Sequence, residues 1–156
     1  MNAQPTGELS CVEDVLLDRD QALFRSFLRP RELYAGEVLF WRGEEGGSVY
    51  FVADGELSIW REEPNGEQEL LRFAEPGSVV SPAALLDESS RQRCCLAERD
   101  SRILELTPAA FRVLTALSSD TAISILTALG SLAAGHPDSG DPANQLSWID
   151  QLPSAI

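Results

Sequence analysis

The sequence predicts a mainly β domain with flanking helices, and three observations predict it. Between Arg31 and Leu106 the chain breaks into short runs rich in Val, Leu, Ile, Phe and Tyr. Turn signals separate the runs: Ala35-Gly36, Gly43, Gly46-Gly47, Asp54-Gly55, Pro64-Asn65-Gly66 and Pro76-Gly77. Before and after this stretch the apolar residues recur at helical spacing. Short strands repeating about every ten residues read as an all-β sandwich or barrel.

Residues 1–10 are small and polar, and residues 1–17 are expected to form an N-terminal tail. A helix is predicted over 18–29, capped by Asp18 or Asp20, with Leu23, Phe24, Phe27 and Leu28 on one face. Pro30 is expected to end it. In the run SVYFVA, Val49, Phe51 and Ala53 face one way, and Tyr50 and Val52 the other. Apolar residues on both faces suit a strand in the middle of the core. Asp54-Gly55 and Asn65-Gly66 are each expected to close a tight hairpin.

After Leu106 the helical period returns. Thr107-Pro108 is an N-cap followed by a first-turn proline, with Phe111, Leu114 and Leu117 at helical spacing. Ser118, Ser119 and Asp120 open a second helix whose apolar stripe is Ala122, Ile125, Leu126, Leu129 and Leu132. Gly135-His136-Pro137 is expected to stop it. The domain thus runs over 18–134, and 135–156 form a linker and a C-terminal tail, LSWIDQLPSAI, carrying Leu146, Trp148, Ile149 and Leu152.

Composition narrows the function classes. The 156 residues suffice for one domain with a full core. Twelve basic residues, every one Arg, face 25 acidic ones, for a net charge of -13. Such a surface repels DNA. No apolar run reaches the ~20 residues of a membrane span, and the first residues lack the pattern of a secretory signal. A cytoplasmic location is expected, without membrane contact. Cys11, Cys94 and Cys95 match no zinc spacing and read as small buried hydrophobes. There is no G-x-S-x-G, P-loop or metal-ligand helix motif, so neither catalysis nor a bound metal is expected. The lone His136 reads as a helix-end residue.

The runs Gly36-Glu37-Val38-Leu39-Phe40, Arg42-Gly43-Glu44-Glu45-Gly46, Val49-Tyr50-Phe51-Val52 and Gly55-Glu56-Leu57, with Pro76-Gly77 and the Arg91 region, carry a resemblance. Together they resemble the cyclic-nucleotide-binding domain family, in its catabolite-activator-like sensor form, over residues 20–130. The resemblance implies a jelly-roll-like β-barrel, a bacterial source and a cyclic nucleotide ligand. Gly43, Gly55 and Gly77 sit between strands, where backbone tends to need positive φ.

In that family a phosphate-binding cassette follows the Pro-Gly turn, with a pattern like Phe-Gly-Glu-Leu-Ala-Leu and later Pro-Arg-Ala. Its Gly admits the sugar-phosphate, its Glu accepts from the ribose 2′-hydroxyl, and its Arg pairs with the phosphate. The corresponding residues here are Ser81, Pro82, Ala83, Ala84 and Leu85, then Arg91, Gln92 and Arg93. Arg91 matches the phosphate arginine, and Ala84-Leu85-Leu86 matches the short helix. Ser81 replaces the Gly, Pro82 replaces the Glu, and Arg93 replaces a small Ala. Arg91 and Arg93 are expected on one face of a strand. They serve there either a more anionic ligand or, as surface charges, ion pairs with Asp87 and Glu88.

These readings point to a stand-alone, non-catalytic regulatory or protein-interaction module with a degenerate nucleotide site and no resident cofactor. The alternative is a working sensor of cAMP, cGMP or a cyclic dinucleotide, signalling through its C-terminal helix. Residues 135–156 are too few for a helix-turn-helix domain, so direct DNA binding is not expected. A homodimer through helix 120–134 and an unknown protein partner are open. The Trp148 segment is expected to be a covering tail, a lid over the barrel mouth, or a docking peptide.

Overall fold

The computed structural model describes Val12, Leu16, residues 18–85 and residues 90–135. The order is α1 (Asp18–Ser26), β1 (Arg29–Leu33), β2 (Val38–Phe40), β3 (Val49–Asp54), β4 (Leu57–Glu62), β5 (Gln68–Ala74), β6 (Val79–Val80), β7 (Cys94–Ala97), β8 (Ser101–Leu106), α2 (Pro108–Leu117) and α3 (Ser119–Gly135). The strands form two four-stranded antiparallel sheets, ordered β1-β8-β3-β6 and β2-β7-β4-β5. The predicted class, mainly β with flanking helices, is the observed one. Its strands fall into two facing sheets.

The core has two compartments, and β3 separates them. Tyr50 and Val52 point between the sheets, among Leu39, Phe40, Leu57, Ile59, Cys95 and Ile103. Val49 and Phe51 point the other way, against Phe24, Leu106, Leu114, Ile125 and Leu129. The helices therefore cover the outer face of the first sheet. Phe24 and Phe51 meet edge-on, with ring centroids 5.7 Å apart. The apolar stripe of α3 is used here, since Ala122, Ile125 and Leu129 are buried within their own chain.

Several expectations need correction. α1 ends at Ser26, and Phe27 and Leu28 close it with N–H bonds to the carbonyls of Phe24 and Arg25. Pro30 lies inside β1, paired with Leu104. It is tolerated because β1 is an edge strand, where one missing N–H costs no ladder bond. Val12 and Leu16, read as tail, are buried in the helical compartment. Leu117 is 65% exposed, whereas Leu114 is sealed. Cys11, His136, the linker and the Trp148 segment lie outside the described residues.

The two turns behave differently. Asn65-Gly66 does join a hairpin, since β4 and β5 are neighbours. Asp54-Gly55 does not: β3 and β4 belong to different sheets. It is a corner that carries the chain across the core. Gly55 has φ +93, and a Cβ there would lie 2.6 Å from the Ser101 Cα. The Ser101 hydroxyl accepts from the Glu56 N–H at 3.0 Å and holds the corner. At the start of α2, Thr107 caps as predicted, its side chain accepting from the Ala110 N–H at 3.1 Å.

Gly55→Ala is expected to cost about 2–4 kcal/mol, combining left-handed strain with overpacking against Ser101. Urea unfolding followed by circular dichroism reads this directly. A loss under ~0.5 kcal/mol would show that the corner relaxes freely.

Candidate functional site

The stretch predicted to be the cassette begins where β6 leaves the first sheet. Ser81 has φ 59, the one described non-glycine residue at positive φ. It stands where the resemblance would have Gly, and a side chain at this positive φ is strained. Ala84 then donates its N–H to the Ser81 carbonyl at 3.0 Å, making a single turn. The expected short helix is reduced to this turn over Pro82–Leu85 among the described residues; 86–89, with Asp87 and Glu88, lie outside them. Pro82 is buried, offering neither a carboxylate nor an N–H. Ala84 and Leu85 pack into the helical compartment beside Ile125 and Leu129. The turn thus touches the C-terminal helix layer.

Arg91 is buried, at 8% exposure, so it is not a surface charge. Its backbone is clamped to the loop after β2: its N–H donates to Glu44 O at 2.7 Å, and its carbonyl accepts from Gly43 N at 2.8 Å. Its guanidinium runs inward. Nη2 donates to the Ser48 carbonyl at 3.1 Å. Cζ lies 4.5 Å from the Phe40 ring centroid and 5.5 Å from that of Tyr50. Those rings are themselves stacked at 6.0 Å. Gly46 makes the room, since a Cβ on it would sit 2.5 Å from Arg91 Nε. That Nε is buried without a hydrogen-bond partner among the described residues.

Ser48 links this cation to an acid. Its hydroxyl donates to Glu105 Oε2 at 2.7 Å while its carbonyl serves Arg91. Glu105 also pairs with Arg31 at 3.4 Å. Burial pushes the Tyr50 phenol above its ordinary value, with Glu105 adding to the rise and Arg91 and Arg31 opposing it.

Gln92 and Arg93 make contacts of their own. No strand covers 91–93, because β7 starts at Cys94. Gln92 is exposed and donates to the Ser90 carbonyl at 3.5 Å. Arg93 donates to the Gln92 carbonyl at 3.2 Å. Among the described residues, the Arg91 guanidinium is contacted by Phe40, Gly46, Ser48 and Tyr50, none of them predicted as a site residue. For Gly46 the signal lay in the run Arg42-Gly43-Glu44-Glu45-Gly46, which carries the resemblance but no predicted site residue. Among the described residues no cluster of His, Cys, Asp or Glu could hold a metal, and no helix is long and apolar enough to cross a membrane.

The family model for the cyclic nucleotide-binding domain matches residues 30–117. The chain belongs to that family. It is 32% identical over 77 residues to the cyclic AMP receptor protein of Thermus thermophilus, spanning 49% of this chain and 36% of that protein. It is 36% identical over 78 residues to an uncharacterised ABC transporter ATP-binding protein of Mycobacterium tuberculosis, spanning 50% of this chain and 24% of the relative. The matches thus cover about a third or less of these curated relatives. Among solved structures, the N-terminal domain of a Streptomyces coelicolor transcriptional regulator superposes with TM-score 0.73 at 20% identity, covering 94% of this chain and 96% of that one. The Thermus thermophilus catabolite activator protein gives 0.72 at 23%, covering 90% and 60%.

Two outcomes test this geometry. A raised phenol pKa adds stability below pH ~10 that is lost as pH climbs through the folded value. Tyr50→Phe should therefore flatten the fall of stability above pH ~10, read as melting temperature against pH. Ser81→Gly should raise stability by about 0.5–1 kcal/mol, left-handed relief less chain entropy. An unchanged urea midpoint would mean Ser81 carries no strain.

Proposed function

We propose that this domain is a non-catalytic regulatory and protein-interaction module whose nucleotide site has been altered from the family pattern. The observation that carries the reading is the use of Arg91. The family's phosphate arginine is here turned inward, donating to the Ser48 carbonyl and lying on Phe40 and Tyr50. Pro82 supports it, because the ribose acceptor is gone. One lost hydrogen bond to a charged acceptor weakens binding by about 1.5–3 kcal/mol, tens- to hundreds-fold. The reading includes a bacterial cytoplasmic setting and signalling by contact with a protein partner. A homodimer through α3 would have to use the helix's outer side, beside the exposed Val113 and Leu117 of α2.

One observation favours a second reading, a sensor of a more anionic ligand such as a cyclic dinucleotide. A buried guanidinium with an Nε unpartnered among the described residues is costly, and an anion would satisfy it.

Isothermal titration with cAMP, cGMP and cyclic di-GMP separates the two. The first reading expects no heat with any of them up to millimolar ligand. Micromolar binding to one of them, lost in Arg91→Ala and weakened in Gly46→Ala, which crowds the guanidinium, overturns it in favour of a sensor.

A further inference from the structure

The second sheet has an outer face with nothing described against it. Cross-strand register sets Trp60 beside Leu70 and Cys94, and Ser58 beside Phe73 and Leu96. Alternation turns these outward, because Leu57, Ile59, Cys95 and Ala97 fill the core. Trp41 is 59% exposed, Phe73 48% and Leu70 38%. A groove of about 430 Å³ opens on this face, lined among others by Trp41, Arg42, Trp60, Cys94 and Leu96. Trp60 Nε1 donates to Ser58 Oγ at 2.8 Å, and Ser58 Oγ donates to Glu98 at 2.6 Å. The indole N–H is thus satisfied within the sheet. What the groove offers is mainly hydrocarbon, a patch of the kind that marks a contact site.

We propose that this groove receives the chain's own C-terminal segment, residues 146–156, LSWIDQLPSAI. Leu146, Trp148, Ile149, Leu152 and Ile156 give that segment five large apolar side chains, after ten residues, 136–145, that contain none. The reach suffices. α3 lies over the outer face of the first sheet, where Ile125 and Leu129 pack on Phe51 and Leu106. The helix layer and the facing sheets are roughly 20 Å thick at about 10 Å per layer, and rounding the edge of a four-stranded sheet from its middle adds about 10 Å. The ten intervening residues extend to about 33–36 Å.

Charge selects this occupant over a second copy. Two chains of net charge -13 repel each other. A tethered segment arrives instead at an effective concentration in the millimolar range. Its charged side chain, Asp150, suits the rim, where Arg42 meets Glu62 only at 3.8 Å and stays more than half exposed.

Cys94 in the groove supplies the test. In the full-length chain with Cys11→Ser, Gln151→Cys puts a thiol inside the segment while leaving its apolar residues intact. Burial, and then Glu44, push the Cys94 thiol up, so exchange with oxidised glutathione is run near pH ~9. A bridge between Cys94 and position 151 should form at least ten times faster than one from Asn144→Cys in the linker, by peptide mass after digestion. In a separate Trp148→Phe background, Leu146→Ser with Ile149→Ser and Leu152→Ser should about double acrylamide quenching of Trp41 and Trp60. Equal bridging from positions 144 and 151, or unchanged quenching, overturns the proposal. A bridge that joins two chains overturns it in favour of a second copy. Neither measurement depends on whether a nucleotide binds.

Discussion

β3 is buried on both faces, and the rest of the structure is arranged around that requirement. Val49, Tyr50, Phe51 and Val52 are each at most 5% exposed. One sheet cannot satisfy two apolar faces. The chain answers with a second sheet against Tyr50 and Val52, and a helical layer against Val49 and Phe51. Fully burying such side chains contributes about 1.5–3 kcal/mol each. The Gly55 corner follows from the same need, because the strand after β3 must leave its sheet to build the opposite wall.

The site inherits its geometry from this strand. Ser48 stands just before β3 and Tyr50 within it, so the guanidinium of Arg91 meets groups whose positions the core has already set. An arginine inside a protein normally needs an anion or several acceptors. Among the described residues the Arg91 guanidinium meets the Ser48 carbonyl and the aromatic rings of Phe40 and Tyr50. Gly46 removes the side chain that would block it. The loop between β2 and β3 is therefore part of the site: its Glu44 carbonyl and Gly43 N–H hold the Arg91 backbone, and Gly46 admits the side chain.

The same alternation that fills the core leaves the outer face of the second sheet apolar. Cys94 and Cys95 are adjacent in sequence but live in different environments, one lining a groove and one sealed between sheets. A sheet residue is assigned to inside or outside by register, and a single step reverses it. The outward row from Phe73 through Ser58 to Leu96 is a consequence of that register.

Much of the architecture was legible in the residues. Apolar period distinguished helices from strands, Thr107-Pro108 marked the start of α2, and the two-faced pattern of 49–52 marked the central strand, because each is set by local stereochemistry or by burial over a few residues. The positive φ at Gly43, Gly55 and Gly77 was legible for the same reason. Pro30 misled, because a proline's meaning depends on whether its strand is at an edge. Asp54-Gly55 misled, because a hairpin and a sheet-to-sheet corner begin with the same dipeptide. Arg91 could be named as the site arginine, but not its direction. That was decided by Phe40, Gly46, Ser48 and Tyr50, brought to it by strand pairing across the core. Contacts between residues over forty positions apart depend on how sheets stack, and no local pattern encodes that stacking.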